Sequence, residues 1–111
     1  MEIVRGDLVS AVLAGECGKL RPVLVIQDDA FGSLQSLTVL PLTSDLHASP
    51  FVRIRVEPSR SNGLQKRSDI MVDKTQTVTR SKIGQRIGSL DERTMRAASA
   101  ALWQFLGLGE L

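Results

Sequence analysis

The sequence predicts a mainly β chain closed by one α-helix, folded as a small, partly open barrel. Two observations carry this. Up to residue 88, short runs of Val, Ile, Leu and Thr alternate with clusters of Gly, Pro, Ser and Asp, making about six or seven strands. After Ser89 the apolar period changes from two to three or four. At 111 residues the chain is long enough for one core and too short for two, so residues 1–111 are expected to form a single domain. With 42% hydrophobic and 23% charged residues, it has the make-up of a folded domain rather than a disordered one.

The first strand is expected over residues 3–13, with Val4, Leu8 and Val12 apolar and Arg5-Gly6-Asp7 marking a tight turn or bulge. A polar loop, residues 15–20, leads to Val23-Leu24-Val25-Ile26, a continuous apolar run that suits a strand buried on both faces. Pro22 stands at its mouth. Proline has no N–H for a ladder and fits best at a strand's first residue, and it pushes Arg21 towards an extended backbone. Residues 28–35 read as a connection with one helical turn, and 37–42 as a strand that closes in Pro41-Leu42-Thr43-Ser44-Asp45.

Residues 51–57 alternate apolar and basic side chains, so one face is buried and the other wet, which places Phe51 in the core. Residues 68–78 form a further strand, with Ile70 and Val72 on one face and Thr75, Thr77 and Thr79 on the other parity. Residues 83–88 are a short strand bracketed by glycines. Ser89-Leu90-Asp91-Glu92 has the form of a capping box with Ser89 as cap and Asp91 as the alternative. Met95, Ala98, Leu102, Phe105 and Leu106 then share one helical face, and Gly107 supplies the stop. Phe105 is expected in the core, and Trp103 in the core or on a dimer surface.

The net charge of +2 says little about partners, but its distribution says more. Residues 1–52 carry three basic side chains against six acids, residues 53–86 nine against three, and residues 87–111 two against three. A basic middle third has the form of a polyanion site; solvated side chains on strand faces would give the same count. Cys17 is the only cysteine, so no internal disulfide can form, which suits a reducing cytoplasm. His47 is the only histidine, so neither a Cys–His pair nor a metal-ligand spacing is visible, and no cofactor is expected. The longest apolar run, residues 22–26, is far too short to span a bilayer, and the first residues lack a secretory pattern, so no membrane partner is expected.

The motifs are ordered along nearly the whole chain. Arg5-Gly6-Asp7 comes first, then Gly15-Glu16 and Lys19-Leu20-Arg21-Pro22-Val23-Leu24-Val25-Ile26-Gln27. Val39-Leu40-Pro41-Leu42-Thr43-Ser44, Gly63-Leu64 and Ser68-Asp69-Ile70-Met71-Val72-Asp73-Lys74 with Thr77-Val78 follow. Ile87-Gly88-Ser89-Leu90-Asp91, the Met95 helix and Leu106-Gly107-Leu108 close the series. In this order they resemble the MazF/PemK family of toxins from toxin–antitoxin pairs. The resemblance implies an SH3-like barrel with a C-terminal helix, usually a homodimer. It also implies a metal-independent, sequence-selective endoribonuclease that cuts single-stranded RNA, leaves a 2′,3′-cyclic phosphate and a 5′-hydroxyl, and is inhibited by a cognate antitoxin.

Attack of a ribose 2′-hydroxyl on its phosphate needs a base, a donor for the phosphorane charge and an acid for the leaving oxygen. Arg21 matches the family's catalytic arginine, a bidentate phosphate donor. Taken alone it is also an ordinary solvated arginine at a strand start. Thr43 matches the family threonine, and a turn hydroxyl bonded to its own backbone is the plainer account. Glu16 is a candidate base or a residue that orients Arg21, and equally a solvated loop carboxylate. Asp73 matches an acid of the PemK branch; a salt bridge to Lys74, Arg53 or Arg55 is the alternative.

Ser68 and Gln76 are expected to contact RNA from the same groove. Some members carry arginine where this chain has Met71 or Gln76, so Lys74, Arg80 and Arg86 are the candidates for a second cation and for RNA binding. Phe31 and Phe51 are the candidate stacking platforms for unpaired bases. Two other functions share these features. A barrel like that of the CcdB gyrase inhibitors would end in Trp-Gly-Ile, whereas this chain ends Gly107-Leu108-Gly109-Glu110-Leu111. A non-cleaving barrel that binds RNA or an antitoxin is the other.

Overall fold

The computed structural model describes residues 2–15, 17–46, 49 and 51–109. Seven strands and one helix follow one another: β1 (Asp7–Val12), β2 (Leu20–Val25), β3 (Ser36–Thr43), β4 (Arg53–Val56), β5 (Ser68–Met71), β6 (Gln76–Thr79), β7 (Ile83–Ser89) and α1 (Glu92–Phe105). The pairings are antiparallel and run β4-β5-β3-β2-β1-β7, with β6 also on β3. No pairing joins β4 to β7 among the described residues, so the sheet curls without closing.

Period-two alternation splits the core in two. Leu8, Leu24, Leu40, Leu42 and Ile70 face one way, into a cluster capped by Ala98 of α1. Val9, Ala11, Val23, Val25, Val39 and Val78 face the other way, into a second cluster that contains no residue of α1. The run 23–26 is therefore buried on both faces, as its continuous apolar character requires. Truncating any one of the fully buried leucines to alanine would cost about 2–5 kcal/mol.

Several boundaries differ from those the sequence suggests. The chain turns at Arg5-Gly6, where the Asp7 amide reaches the Val4 carbonyl at 3.1 Å and the Asp7 carboxylate accepts the Val4 N–H at 3.0 Å. β1 therefore starts at Asp7 rather than Ile3. Pro22 is the third residue of β2, not the first, and the ladder to β3 begins only after it, at Val23. Residues 68–78 are not one strand. β5 and β6 lie end to end along the same edge of β3, and Val72–Lys74 is pushed out between them as a single 3₁₀ turn. Between the Leu42–Ile70 and Val39–Gln76 pairs, the β5–β6 side holds three more residues than β3 does, and the turn takes them up. Phe51 is 83% exposed, so its expected place in the core is wrong. It precedes β4, and the alternation starts only at Arg53.

At the helix the cap is Asp91, not Ser89. Ser89 is still paired with Asp7 as the last residue of β7 and donates its amide to Ser61 at 3.0 Å, so its backbone stays extended. Asp91 accepts the Thr94 amide at 3.0 Å and the Thr94 hydroxyl at 2.7 Å. Ala98 is the buried contact of α1, with Met95, Ala101 and Leu102 packed partly against the core. The helix runs past the sheet, and Trp103, Phe105 and Leu106 are each about half exposed, which corrects the core assignment of Phe105. The stop is a Schellman motif, with Gly107 at φ +70° and the Leu108 amide returning to the Trp103 carbonyl at 3.1 Å.

The Thr94 hydrogen bonds hold the Asp91 carboxyl below its usual range. A lowered folded-state pKa contributes stability above the ordinary carboxylate range and loses it as pH falls through the lowered value. Asp91→Ala is expected to cost about 1 kcal/mol at neutral pH. The gap from the unsubstituted protein is expected to shrink steadily in acid, as measured by denaturant unfolding across that range.

Candidate active site

The register of three ladders assembles a row of polar residues. β2 and β3 pair Val25 with Val39, Leu24 with Leu40 and Val23 with Pro41. Two residues further along this register come Arg21, the second residue of β2, and Thr43, the last of β3. On its other edge, Thr43 pairs with Asp69 of β5, and Asp69 pairs with Arg55 of β4. Arg21, Thr43, Asp69 and Arg55 thus lie across four adjoining strands, their side chains on one face. It is the face of Val23, Val25 and Val39, opposite the helix, and it turns from apolar to polar as the strands end.

Each member is held differently. Arg21 is half-buried and also lines an open groove of about 330 Å³ with Leu64 and Gln65 of the 58–67 loop. That loop is drawn in by buried Asn62. Its side chain accepts the Ser59 and Leu64 amides at 3.0 Å and donates to the Glu57 carbonyl at 2.9 Å. The adjacent Gly63 (φ +68°) lies against the Ile87 carbonyl, where a Cβ has no room. The Thr43 hydroxyl accepts the Asp45 amide at 3.1 Å, the local turn bond expected of it. A hydroxyl that accepts there keeps its own hydrogen as a donor, so the turn bond orients the group without consuming it. Asp69 is 1% exposed and accepts Arg55 Nε at 2.6 Å. This bond, helped by the charges of Asp69 and Glu57, outweighs desolvation and holds the Arg55 guanidinium above its usual pKa.

Asp73 sits in the extruded Val72–Lys74 turn, not on a strand. It is hydrogen-bonded to Arg53 and lies 3.6 Å from Lys74 Nζ. Burial pushes its carboxyl up, but the Arg53 hydrogen bond, a backbone bond and the neighbouring cations together hold it below the usual range. Gln76 is half-buried and pairs with Val39, on the face of Thr43. Ser68 is 5% exposed and donates to the Lys66 carbonyl at 3.0 Å, so it does not face a groove. Its parity, shared with Ile70 and Val72, already pointed to the core. The same parity puts Asp69 on the opposite face, a signal the sequence offered and pattern-reading passed over.

Two of the expected RNA-binding arginines have structural tasks. Arg80 donates to the Leu34 carbonyl at 2.8 Å and the Gly32 carbonyl at 2.5 Å, closing the 28–35 connection. Arg86 reaches the buried Asp7 carboxylate at 3.1 Å and ties β7 to the start of β1. Lys74 is exposed on its turn. Phe31 and Phe51 are both exposed. Glu16 and His47 lie outside the described residues. Among the described residues, no three His, Cys, Asp or Glu side chains gather where they could hold a metal ion.

On the helix side, a second groove of about 370 Å³ lies between Ile26, Thr38, Leu102, Trp103, Leu106 and Leu108. Arg5 crosses its floor, bonded to the Ile26 carbonyl and to Ser99 Oγ at 2.5 Å. β1 is paired on both edges and nearly all buried, whereas Trp103 on α1 is 54% exposed and so does not lie in the core.

The chain is thus a small, unclosed antiparallel barrel with one C-terminal helix and a polar row where its strands run out. Residues 1–106 match the model of the PemK-like, MazF-like toxin of type II toxin–antitoxin systems, and the chain belongs to that family. It is 45% identical over 105 residues to a probable endoribonuclease MazF of Mycolicibacterium smegmatis, covering 94% of this chain and 96% of that protein. Its fold is similar to that of the Mycobacterium tuberculosis toxin MazF-mt6, with a TM-score of 0.79 and 27% identity over 94% of this chain and 99% of the other. An endoribonuclease solved with its cognate antitoxin, from a mycobacterial species, superposes with a TM-score of 0.80 at 21% identity, over 98% and 99% of the two chains.

Removing Arg86 would leave the Asp7 carboxylate buried without its cation. Arg86→Ala is therefore expected to lower stability by about 1–3 kcal/mol. A stability loss in thermal unfolding, with RNA affinity retained at temperatures where the variant is folded, would mark Arg86 as a structural residue; a loss of RNA affinity alone would mark it as a contact.

Proposed function

We propose that this chain is a metal-independent, sequence-selective endoribonuclease toxin acting on single-stranded RNA. What supports the proposal is that Arg21 and Thr43 each lie two residues beyond the last β2–β3 pair, Val23 with Pro41, on the same parity, in a chain of this family. In the reaction, the ribose 2′-oxygen attacks the neighbouring phosphorus, the bond from phosphorus to the 5′-oxygen breaks, and the products are a 2′,3′-cyclic phosphate and a 5′-hydroxyl. One proton leaves the 2′-hydroxyl and one reaches the departing 5′-oxygen.

Arg21 supplies the fixed charge. A guanidinium stays protonated throughout and offers paired donors to the non-bridging oxygens, so it serves as a stabiliser rather than an acid. Thr43 adds a neutral donor whose oxygen is already fixed by Asp45. Glu16, five residues before Arg21 in sequence, is the candidate base. Asp73, ionised and clasped by Arg53, suits the holding of charge better than the taking of a proton. Gln76 lies on the same face and Lys74 is exposed on the adjoining turn; both would line the RNA track, and the exposed rings of Phe31 and Phe51 offer stacking surfaces.

A cognate antitoxin and a second copy of this chain are the proposed protein partners, working in the cytoplasm. The half-exposed Trp103, Leu106 and Leu108 line one groove and form an apolar strip of the kind proteins cover.

The purified protein is expected to cut single-stranded RNA in excess EDTA and to leave cyclic phosphate ends. Arg21→Ala is expected to slow cutting about 100-fold or more without unfolding, and Thr43→Ala to act in the same direction. Cleavage mapped on a long RNA checks activity, product ends and sequence preference together; full activity of Arg21→Ala would refute the site.

A further inference from the structure

Several of the arginines are already committed. Arg5, Arg80 and Arg86 bind carbonyls, a hydroxyl or a buried carboxylate far from the row. Arg53 is 14% exposed and holds Asp73 and the Val52 carbonyl. Arg67 and Arg96 lie on the surface with Glu57 and Glu92.

Arg55 is different. It stands on the row of Arg21 and Thr43, its side chain is 42% exposed, and its link to Asp69 is made through Nε. That leaves the two terminal nitrogens at the outer end of the fork, with no acceptor among the described residues. A guanidinium is planar, so fixing Nε fixes the direction in which the other donors point. The anchor is rigid, because Asp69 is buried on a strand paired along both edges, with β3 and β4, and cannot swing out with its partner.

Arg21 and Arg55 are three strand spacings apart, roughly 14 Å between backbones. Guanidiniums so placed on one face suit successive charges along an extended chain better than a single phosphate.

We propose that Arg55 binds a backbone phosphate flanking the scissile one, with Asp69 as its positioning residue. This supplies the second cation that the chain lacks at Met71 and Gln76, and it rests on the ribonuclease reading above. The plainer role of the pair is to neutralise a buried carboxylate. Salt dependence separates the two, because only a phosphate contact releases counterions when RNA binds.

The test measures binding of a single-stranded oligoribonucleotide that carries one 2′-deoxy residue at the mapped cut, over a range of salt. Arg55→Gln is expected to weaken binding on every sequence alike, and to reduce the slope of log affinity against log salt by about 0.7. Arg55→Lys is expected to keep the slope, and Arg96→Gln to change nothing. If Arg55→Gln folds poorly, the double variant Asp69→Asn/Arg55→Gln, which faces two amides and buries no lone charge, is expected to show the same loss of slope. An unchanged slope in a folded variant overturns the inference and leaves the ribonuclease intact. A shifted sequence preference at constant slope overturns it too, in favour of base reading. If the protein cuts no RNA, no cut can be mapped, and both proposals fall together.

Discussion

β3 is paired along both edges, and the arrangement of the molecule follows from that. One edge carries β2; the other carries β6 and then β5, laid end to end. A strand held on two sides cannot shift register without turning its core residues outwards, so Leu40 and Leu42 fix it against one cluster and Val39 against the other. The three surplus residues between β5 and β6 have nowhere to go except out of the ladder. They leave as the Val72–Lys74 turn, which brings Asp73 to Arg53 and gives α1 part of the surface it packs on. The polar row exists because the same register, carried to the strand ends, brings Arg21, Thr43 and Asp69 side by side.

Charge is distributed through this frame by carboxylates. Asp7, Asp69 and Asp73 each hold an arginine from another element: Arg86, Arg55 and Arg53 respectively. Taking a carboxylate out of water is costly unless a cation comes with it, so each pair ties two elements together. Contacts of this kind also sort the basic middle of the chain. Arg86 and Arg80 become part of the scaffold, whereas Arg55 keeps the outer end of its fork turned to solvent. A composition count treats these side chains as equal.

Much of this was visible beforehand. The strand at 23–25, the 28–35 connection with its helical turn, and the terminal helix with its glycine stop are local consequences of β-branching, period and turn chemistry. The misplaced features have different causes. Ser89 has good cap chemistry but is drawn into β7 by Asp7. Phe51 has the parity of a strand that starts only two residues later. Phe105 lies on the apolar face of a helix that outruns the sheet beneath it. Ser68 was set in a groove although its parity with Ile70 pointed inwards.

By itself, the sequence determined the class of fold and the family. Those properties reside in neighbours along the chain: period, turn residues and short ordered motifs. Which arginines are structural, which carboxylate holds which cation, and that Arg55 shares a row with Arg21 were decided only by the tertiary structure. Each depends on register between strands distant in sequence, and register is set by the packing of whole faces rather than by any local run of residues.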